Sequence, residues 1–421
     1  MDHFIIKGGN RLSGTVEISG AKNSALKLMC AALLTPEPVI LHNVPELADI
    51  TSMARLLAHL GMKMSSHENN TITLQSDNIH DFDAPYELVS KMRASIIVLG
   101  PLLARFGQAK VSLPGGCAIG TRPVDMHLKA LEQMGAKIEI EAGYVNATCP
   151  KLQGAEIFFE KVSVGATENT LMAATLAEGV TILHNAAREP EITDLANMLI
   201  KMGAKIEGAG QETIKITGVK SLSGVEHTTV KDRIEAGSFI LAAAITGGEI
   251  TIPNMEHELL GASWFKMKEA GIELTQEGKN IRAKASGKFK ATDVLTAPFP
   301  GFATDMQAQF MTLMCIANGT STIDEVIFEN RFMHAPELAR MGADIKISGH
   351  TAVVKGIEKL KGAEVMATDL RASFSLVIAA LAAEGETKIN RVYHIDRGYE
   401  KIVRRLAAIG ADIKRIKVEK A

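Results

Sequence analysis

The sequence predicts an α/β protein of two similar inside-out domains, each made of three repeated helix-strand-helix-strand units around buried helices. Three observations carry this. Six segments, "HLGMKMSS", "QMGAKIEI", "KMGAKIEG", "EAGIELTQ", "RMGADIKI" and "AIGADIKR", each place a glycine between an amphipathic helical stretch and an alternating strand. Those glycines are Gly61, Gly135, Gly203, Gly271, Gly342 and Gly410, spaced by 74, 68, 68, 71 and 68 residues, a period that marks an internal repeat. Each repeat also holds an Ala-rich helix that is apolar on most faces, and helices apolar all round are buried. Finally, 421 residues with 46% hydrophobic content suffice for two cores and are too many for one.

Within a repeat each element follows from local chemistry. The Ala-rich helices are "KNSALKLMCAALL", "MRASIIVLGPLLA", "ATENTLMAATLA", "IEAGSFILAAAI", "TDMQAQFMTLMCI" and "LRASFSLVIAALAA". Nearly every one runs into Gly and a short strand such as "VTILHNA" or "GEITIPN". The amphipathic helix that follows ends on the repeat glycine, because the left-handed turn that closes a helix sharply is open to glycine. The alternation after it suits a half-buried strand.

Composition excludes several classes. The formal net charge is -2, with one Trp and four Tyr, so there is neither the basic stripe nor the stacking set of a nucleic-acid binder. The longest apolar run, 94–104, is flanked by Arg93 and Arg105 and is too short to span a bilayer. The start "MDHFIIKGGNRLSG" lacks the charged segment and apolar core of a signal peptide, so a cytoplasmic protein without membrane insertion is expected. Four cysteines without CxxC spacing argue against a disulfide framework and a structural zinc site, and the histidines show no metal-ligand spacing. No G-x-x-x-x-G-K-[ST] or G-x-G-x-x-G loop is present, so neither ATP hydrolysis nor a Rossmann dinucleotide is implied.

Charge gathers where the buried helices begin: Lys22 and Asn23, Arg93, Asp232 and Arg233, Asp305, then Asp369 and Arg371. The acids have a plain reading as helix caps, since Asp305 and Asp369 follow Thr304 and Thr368. Cations at a helix N-terminus oppose the dipole unless an anion is bound, so Lys22, Arg93, Arg233 and Arg371 point to an anion site. Arg122, Arg188, Arg331 and Arg397 in the loops before the outer helices add to it, and a guanidinium fork takes carboxylate or phosphate. One thiol stands apart. Cys30 and Cys315 lie in apolar runs and read as core residues, whereas Cys117 sits in "LPGGCAIGTRP", behind two glycines and five residues before an arginine.

The stretches "SGAKNSAL", "LPGGCAIGTRPVDMHL", "VSVGATEN", "DRIEAG", "TDMQAQF", "ENRFMH", "DLRAS" and "HIDRGYE" resemble the enolpyruvyl transferases over essentially the whole chain, and within them the family that acts on UDP-N-acetylglucosamine in peptidoglycan synthesis. The resemblance implies an EPSP synthase-like fold with 22–229 as one domain, carrying a mobile loop 113–123, and 1–21 with 230–421 as the other. It places the active site in the cleft between them. It further implies transfer of the enolpyruvyl group of phosphoenolpyruvate to the 3-hydroxyl of the sugar, with release of phosphate and no cofactor or metal. Lys22, Asn23, Arg122 and Arg397 are expected to hold phosphoenolpyruvate. Arg93, Arg122, Pro123, Val124, Asp125, Met126, Lys161, Val162, Ser163, Val164, Asp305 and Ile327 are expected to hold the nucleotide sugar. Arg331, Asp369 and Arg371 support the site. Cys117 is the expected general acid and the target of the epoxide fosfomycin, with Asp305 the candidate base; Lys22 and Arg397 count with them as catalytic. Lys27, Ala303 and Phe374 depart from the family pattern, where proline, proline and a small residue are common. Transfer to shikimate 3-phosphate, and a silent nucleotide-sugar-binding paralogue, are the alternatives.

Overall fold

The computed structural model describes residues 2–90, 92–113 and 124–417, with Arg93 described in its backbone alone. Cys117, Arg122 and Pro123 therefore lie outside the described residues. The chain divides into two compact units, one of residues 2–19 and 232–417, the other of 20–90, 92–113 and 124–231. Each has its own apolar core.

Six four-stranded sheets account for the six repeats. All six repeat glycines adopt φ between 93° and 106°, the left-handed turn that the sequence spacing requires. In each sheet an outer strand pairs in parallel with the strand that follows the buried helix, and antiparallel pairing completes the sheet, through a hairpin in all but the last. Glu156–Phe158, Val180–His184, Ile214–Thr217 and Lys205–Glu207 show the pattern, with Ile157 opposite Leu183 and Ile206 opposite Ile216.

Three exchanges weave the ends of the chain into the repeats. The first strand, His3–Lys7, pairs antiparallel with both Glu386–Asn390 and Asp412–Ile416, and so completes the last repeat. Ser13–Thr15 pairs in parallel with Glu249–Ile252, while Val225–Thr228 pairs in parallel with Val39–His42. The chain then passes from one unit to the other between residues 19 and 20 and between 231 and 232.

The Ala-rich helices are buried as expected; in Arg233–Ile245 every residue after the first is buried. Their small residues permit close approach. A Cβ on Gly100 would stand 2.4 Å from the Asn169 carbonyl oxygen, and the Gly100 amide instead donates to Asn169 Oδ1 at 2.7 Å. Three of these helices do not run as single α-helices; the first, Lys22–Ala31, closes as the 3₁₀ turn Ala32–Leu34. The second opens as a 3₁₀ turn, Arg93–Val98, before the α-helix Leu99–Phe106. Pro101 supplies the reason: it has no N–H and its ring crowds the carbonyl four residues back, so the α-helix begins where Pro101 falls in the first turn. The fifth opens likewise, as Thr304–Met306 before Gln307–Met314. Among the described residues no helix is long and apolar enough to cross a membrane.

Candidate active site

The predicted site residues fall on the starts of the buried helices and on the loops after the strands. In the unit containing 20–113, Lys22 opens the helix Lys22–Ala31 and its Nζ lies 3.2 Å from Asp49 Oδ2, with both side chains buried. Ser24 donates to Asp194 Oδ2 at 2.5 Å, and Asp194 also accepts from the Val230 amide at 3.1 Å and bonds His227 Nε2 at 2.8 Å. The backbone beside Lys22 and Asn23 is thereby tied to the segment that leaves this unit. Ser163 caps the helix Val164–Ala174 by accepting from the Ala166 amide at 3.3 Å. Val124 and Asp125 open the helix Asp125–Gln133. Lys161 and Asp125 are exposed, while Asn23, Met126, Val162 and Val164 are half-buried.

The other unit brings its charges into one network. Asp305 Oδ1 accepts from Arg331 Nη2 at 2.6 Å, and its Oδ2 lies 3.8 Å from Arg371 Nε. Arg371, fully buried, donates from Nη2 to Asp232 Oδ2 at 2.8 Å and from Nη1 to the Gly398 carbonyl at 3.1 Å. Asp232 Oδ1 caps the helix Arg233–Ile245 through the Ile234 and Glu235 amides. Burial works against charge on Arg331, Arg371 and Asp232, yet the ion pairs prevail: Arg331 and Arg371 are raised above the usual guanidinium range, and Asp232 is held below the usual carboxylate range.

Capping, the plain reading of both acids, divides them. Asp369 closes the turn that leads into the helix Ser373–Ala382: its Oδ1 accepts from the Arg371 and Ala372 amides at 2.8 and 2.7 Å. The helical turn Thr304–Met306 has no side-chain cap at its start, and the Asp305 carboxylate faces arginines instead. Arg371, expected as part of an open anion site, is committed to the buried Asp232 and the partly buried Asp305 of its own unit. Arg233 is half-buried, with its guanidinium 5.4 Å from the Phe299 ring centroid. Arg397 lies half-buried at the end of the 3₁₀ turn Val392–Arg397, and Arg188 is exposed.

The departures from the family pattern have local partners. Lys27 Nζ lies 3.3 Å from Glu168 Oε2, and Glu168 is fully buried. Phe374 stacks on Tyr399 with ring centroids 4.2 Å apart. Of the cysteines, Cys30 and Cys315 are core residues whose thiols burial pushes up, Cys315 to about 12. Cys149 is buried and donates to the Gly135 carbonyl at 3.4 Å. Sequence reasoning passed over Asp49 and Glu325. Asp49 gives the recognisable signal of an acid in the first turn of an outer helix, Ala48–His59, while its pairing with Lys22 does not show in the sequence. No group of His, Cys, Asp and Glu among the described residues is placed to hold a metal ion.

The pattern of the family described as EPSP synthase (3-phosphoshikimate 1-carboxyvinyltransferase) matches residues 6–406. The chain belongs to that family. Among curated relatives, proteins named UDP-N-acetylglucosamine 1-carboxyvinyltransferase from Acinetobacter guillouiae and Paramagnetospirillum magneticum are 58% and 56% identical to it. The matches span 99% of this chain and 100% and 99% of the relatives. Among solved structures, the enolpyruvyl transferase NikO from Streptomyces tendae superposes with a TM-score of 0.90 at 27% identity, over 99% of each chain. EPSP synthase from Acinetobacter baumannii superposes at 0.76 with 20% identity, over 99% of this chain and 100% of that one, a likeness of fold.

Proposed function

We propose that this protein transfers the enolpyruvyl group of phosphoenolpyruvate to the 3-hydroxyl of UDP-N-acetylglucosamine, releasing phosphate, in the cytoplasmic phase of peptidoglycan synthesis. The observation that carries the reading is full-length similarity, at 56–58% identity, to relatives bearing the name of that activity. It is supported by "PGGCAIGTRPVD", which sets the chain apart from the shikimate-directed pattern.

In this reading Lys22, Asn23, Arg122 and Arg397 neutralise the phosphate and carboxylate of phosphoenolpyruvate, and the sugar nucleotide rests on Arg93, the 122–126 and 161–164 segments, and Ile327. Cys117 gives its proton to the methylene carbon, leaving positive charge on the carbon that bears the phosphate oxygen. The sugar 3-oxygen bonds to that carbon as Asp305 takes the hydroxyl proton. The adduct then gives a methyl proton back to the Cys117 thiolate, its carbon–oxygen bond to phosphate breaks, the double bond reforms and phosphate leaves with the bonding pair. The pairing of Asp305 with Arg331 and Arg371 favours the carboxylate form that a base needs at the outset.

Phosphate release with phosphoenolpyruvate plus UDP-N-acetylglucosamine, and not with phosphoenolpyruvate plus shikimate 3-phosphate, tests the reaction. Fosfomycin tests the acid: one adduct on the Cys117 peptide should accompany loss of activity. Cys117→Asp should lose the adduct and keep some turnover, since a carboxylic acid still donates a proton, while Cys117→Ala should lose both. An inactivating adduct on another cysteine would remove Cys117 from this role.

A further inference from the structure

We propose that Glu325, acting with Thr304, is a positioning residue that fixes both the carboxylate of Asp305 and the turn bearing Ile327 for the sugar substrate; this rests on the reading of those two residues given above. Glu325 follows the strand Thr320–Asp324 and is 1% exposed. Its Oε1 accepts from Thr296 Oγ1 at 3.0 Å and from the Ile327 and Phe328 amides at 2.9 and 3.2 Å. Its Oε2 accepts from Thr304 Oγ1 at 2.7 Å. The Thr296 hydroxyl in turn accepts from the Val326 amide at 3.1 Å, so three successive amides, 326 to 328, are held from one point.

The other arm runs to Asp305. A threonine hydroxyl has one proton, and Thr304 commits it to Glu325, which turns its lone pairs toward Arg331. Arg331 Nη1 donates to Thr304 Oγ1 at 2.9 Å and Nη2 donates to Asp305 Oδ1 at 2.6 Å. The planar guanidinium fork transmits the position of one contact to the other. Glu325 thus sets the rotation of Arg331 and, through it, the direction of the Asp305 carboxylate, while its first oxygen sets the peptide planes around Ile327.

Four variants test this by steady-state kinetics, with thermal midpoints as the check on folding. Thr304→Val keeps the shape and removes the hydroxyl; kcat should fall about 10- to 100-fold, the scale of a catalytic group displaced by about an ångström, with KM for phosphoenolpyruvate unchanged. Thr304→Ser should return kcat to near the parent value. Glu325→Ala should also raise KM for UDP-N-acetylglucosamine by about tenfold, the worth of a hydrogen bond to a charged group. Glu325→Gln should fall between, because its amide oxygen still accepts from 327 and 328 while its amide nitrogen cannot accept from Thr304. If Glu325→Ala does not fold, Thr304→Val and Glu325→Gln decide. Parent kinetics in both would overturn the proposal. So would losses that follow the thermal midpoint, raise both KM values alike and persist in Thr304→Ser. Asp305→Asn separates the two levels. A slow Asp305→Asn beside normal Thr304→Val and Glu325→Ala sinks this inference alone, whereas near-normal turnover in Asp305→Asn sinks the reading of Asp305 and this inference with it.

Discussion

The two units are built on the same repeat and hold charge in different ways. In the unit of 2–19 and 232–417, Asp232, Arg371, Asp305 and Arg331 join the starts of three buried helices into one chain of contacts. In the other unit Lys22 meets Asp49 and Lys27 meets Glu168, each between a buried helix and its neighbours. A repeat sets where the backbone turns, through its glycines and small residues, and leaves the electrostatics of each helix start to partners brought in from elsewhere. Losing one member strands a buried charge in either unit, and in the connected arrangement the loss touches more than one helix start.

The largest expected effect follows from that contrast. Arg371→Met leaves Asp232 buried without its guanidinium partner, and should cost about 3–5 kcal/mol in denaturant unfolding. Asp232→Asn combined with Arg371→Met should recover a substantial part, because the stranded charge is removed with its partner. A loss under about 1 kcal/mol in the single variant, the range of an exposed pair, would mean that the network is not energetically connected.

A smaller effect is expected at Lys22. Asp49→Asn removes one charge-assisted contact from a pair that keeps slight exposure, and should cost about 1–3 kcal/mol. It should also change KM for phosphoenolpyruvate, since Lys22 then meets its substrate without the competing carboxylate, while KM for the sugar nucleotide holds. A cost equal to that of Arg371→Met would erase the distinction drawn between the units.

Much of the fold is legible in the sequence because its determinants are local. Gly61 to Gly410 mark helix ends by a conformation open to glycine, and the Ala-rich helices declare their burial by lacking a polar face. The 3₁₀ opening at Arg93–Val98 was hidden in an apolar run, although Pro101 carried the clue. The candidate site is legible in residue types and obscure in their pairing. Asp232 and Arg371 lie 139 residues apart, and nothing near Arg371 says that a buried acid awaits it. Glu325 in "TIDEVIFEN" reads as a solvated acid after a strand, and only the fold brings Thr296 and Thr304 to it. Lys27 and Phe374, odd against the family pattern, make sense once Glu168 and Tyr399 are seen beside them.

The smallest effect is a pair of slopes of opposite sign, one from a buried acid and one from a buried histidine. Burial raises the Glu168 carboxyl from 4.5 to about 7, against the pull of Lys27. Between those values the folded chain holds a proton that the unfolded chain has released, so this group makes the protein less stable as pH rises from about 4.5 to 7. His334 works the other way. It is fully buried beside Arg331, neither ring nitrogen has a hydrogen-bond partner among the described residues, and burial lowers it from 6.5 to about 3. The unfolded chain takes up that proton first, so stability is lost as pH falls from 6.5 toward 3. Replacing both Lys27→Met and Glu168→Gln should remove the first slope without stranding a charge, and His334→Leu should flatten the second, each by up to about 1.4 kcal/mol per pH unit. Unfolding titrations at half-unit steps from pH 4.5 to 7.5 read both. If the double variant makes the slope between 4.5 and 7 more negative, or His334→Leu deepens the acid loss, then the two buried groups do not titrate as their surroundings require.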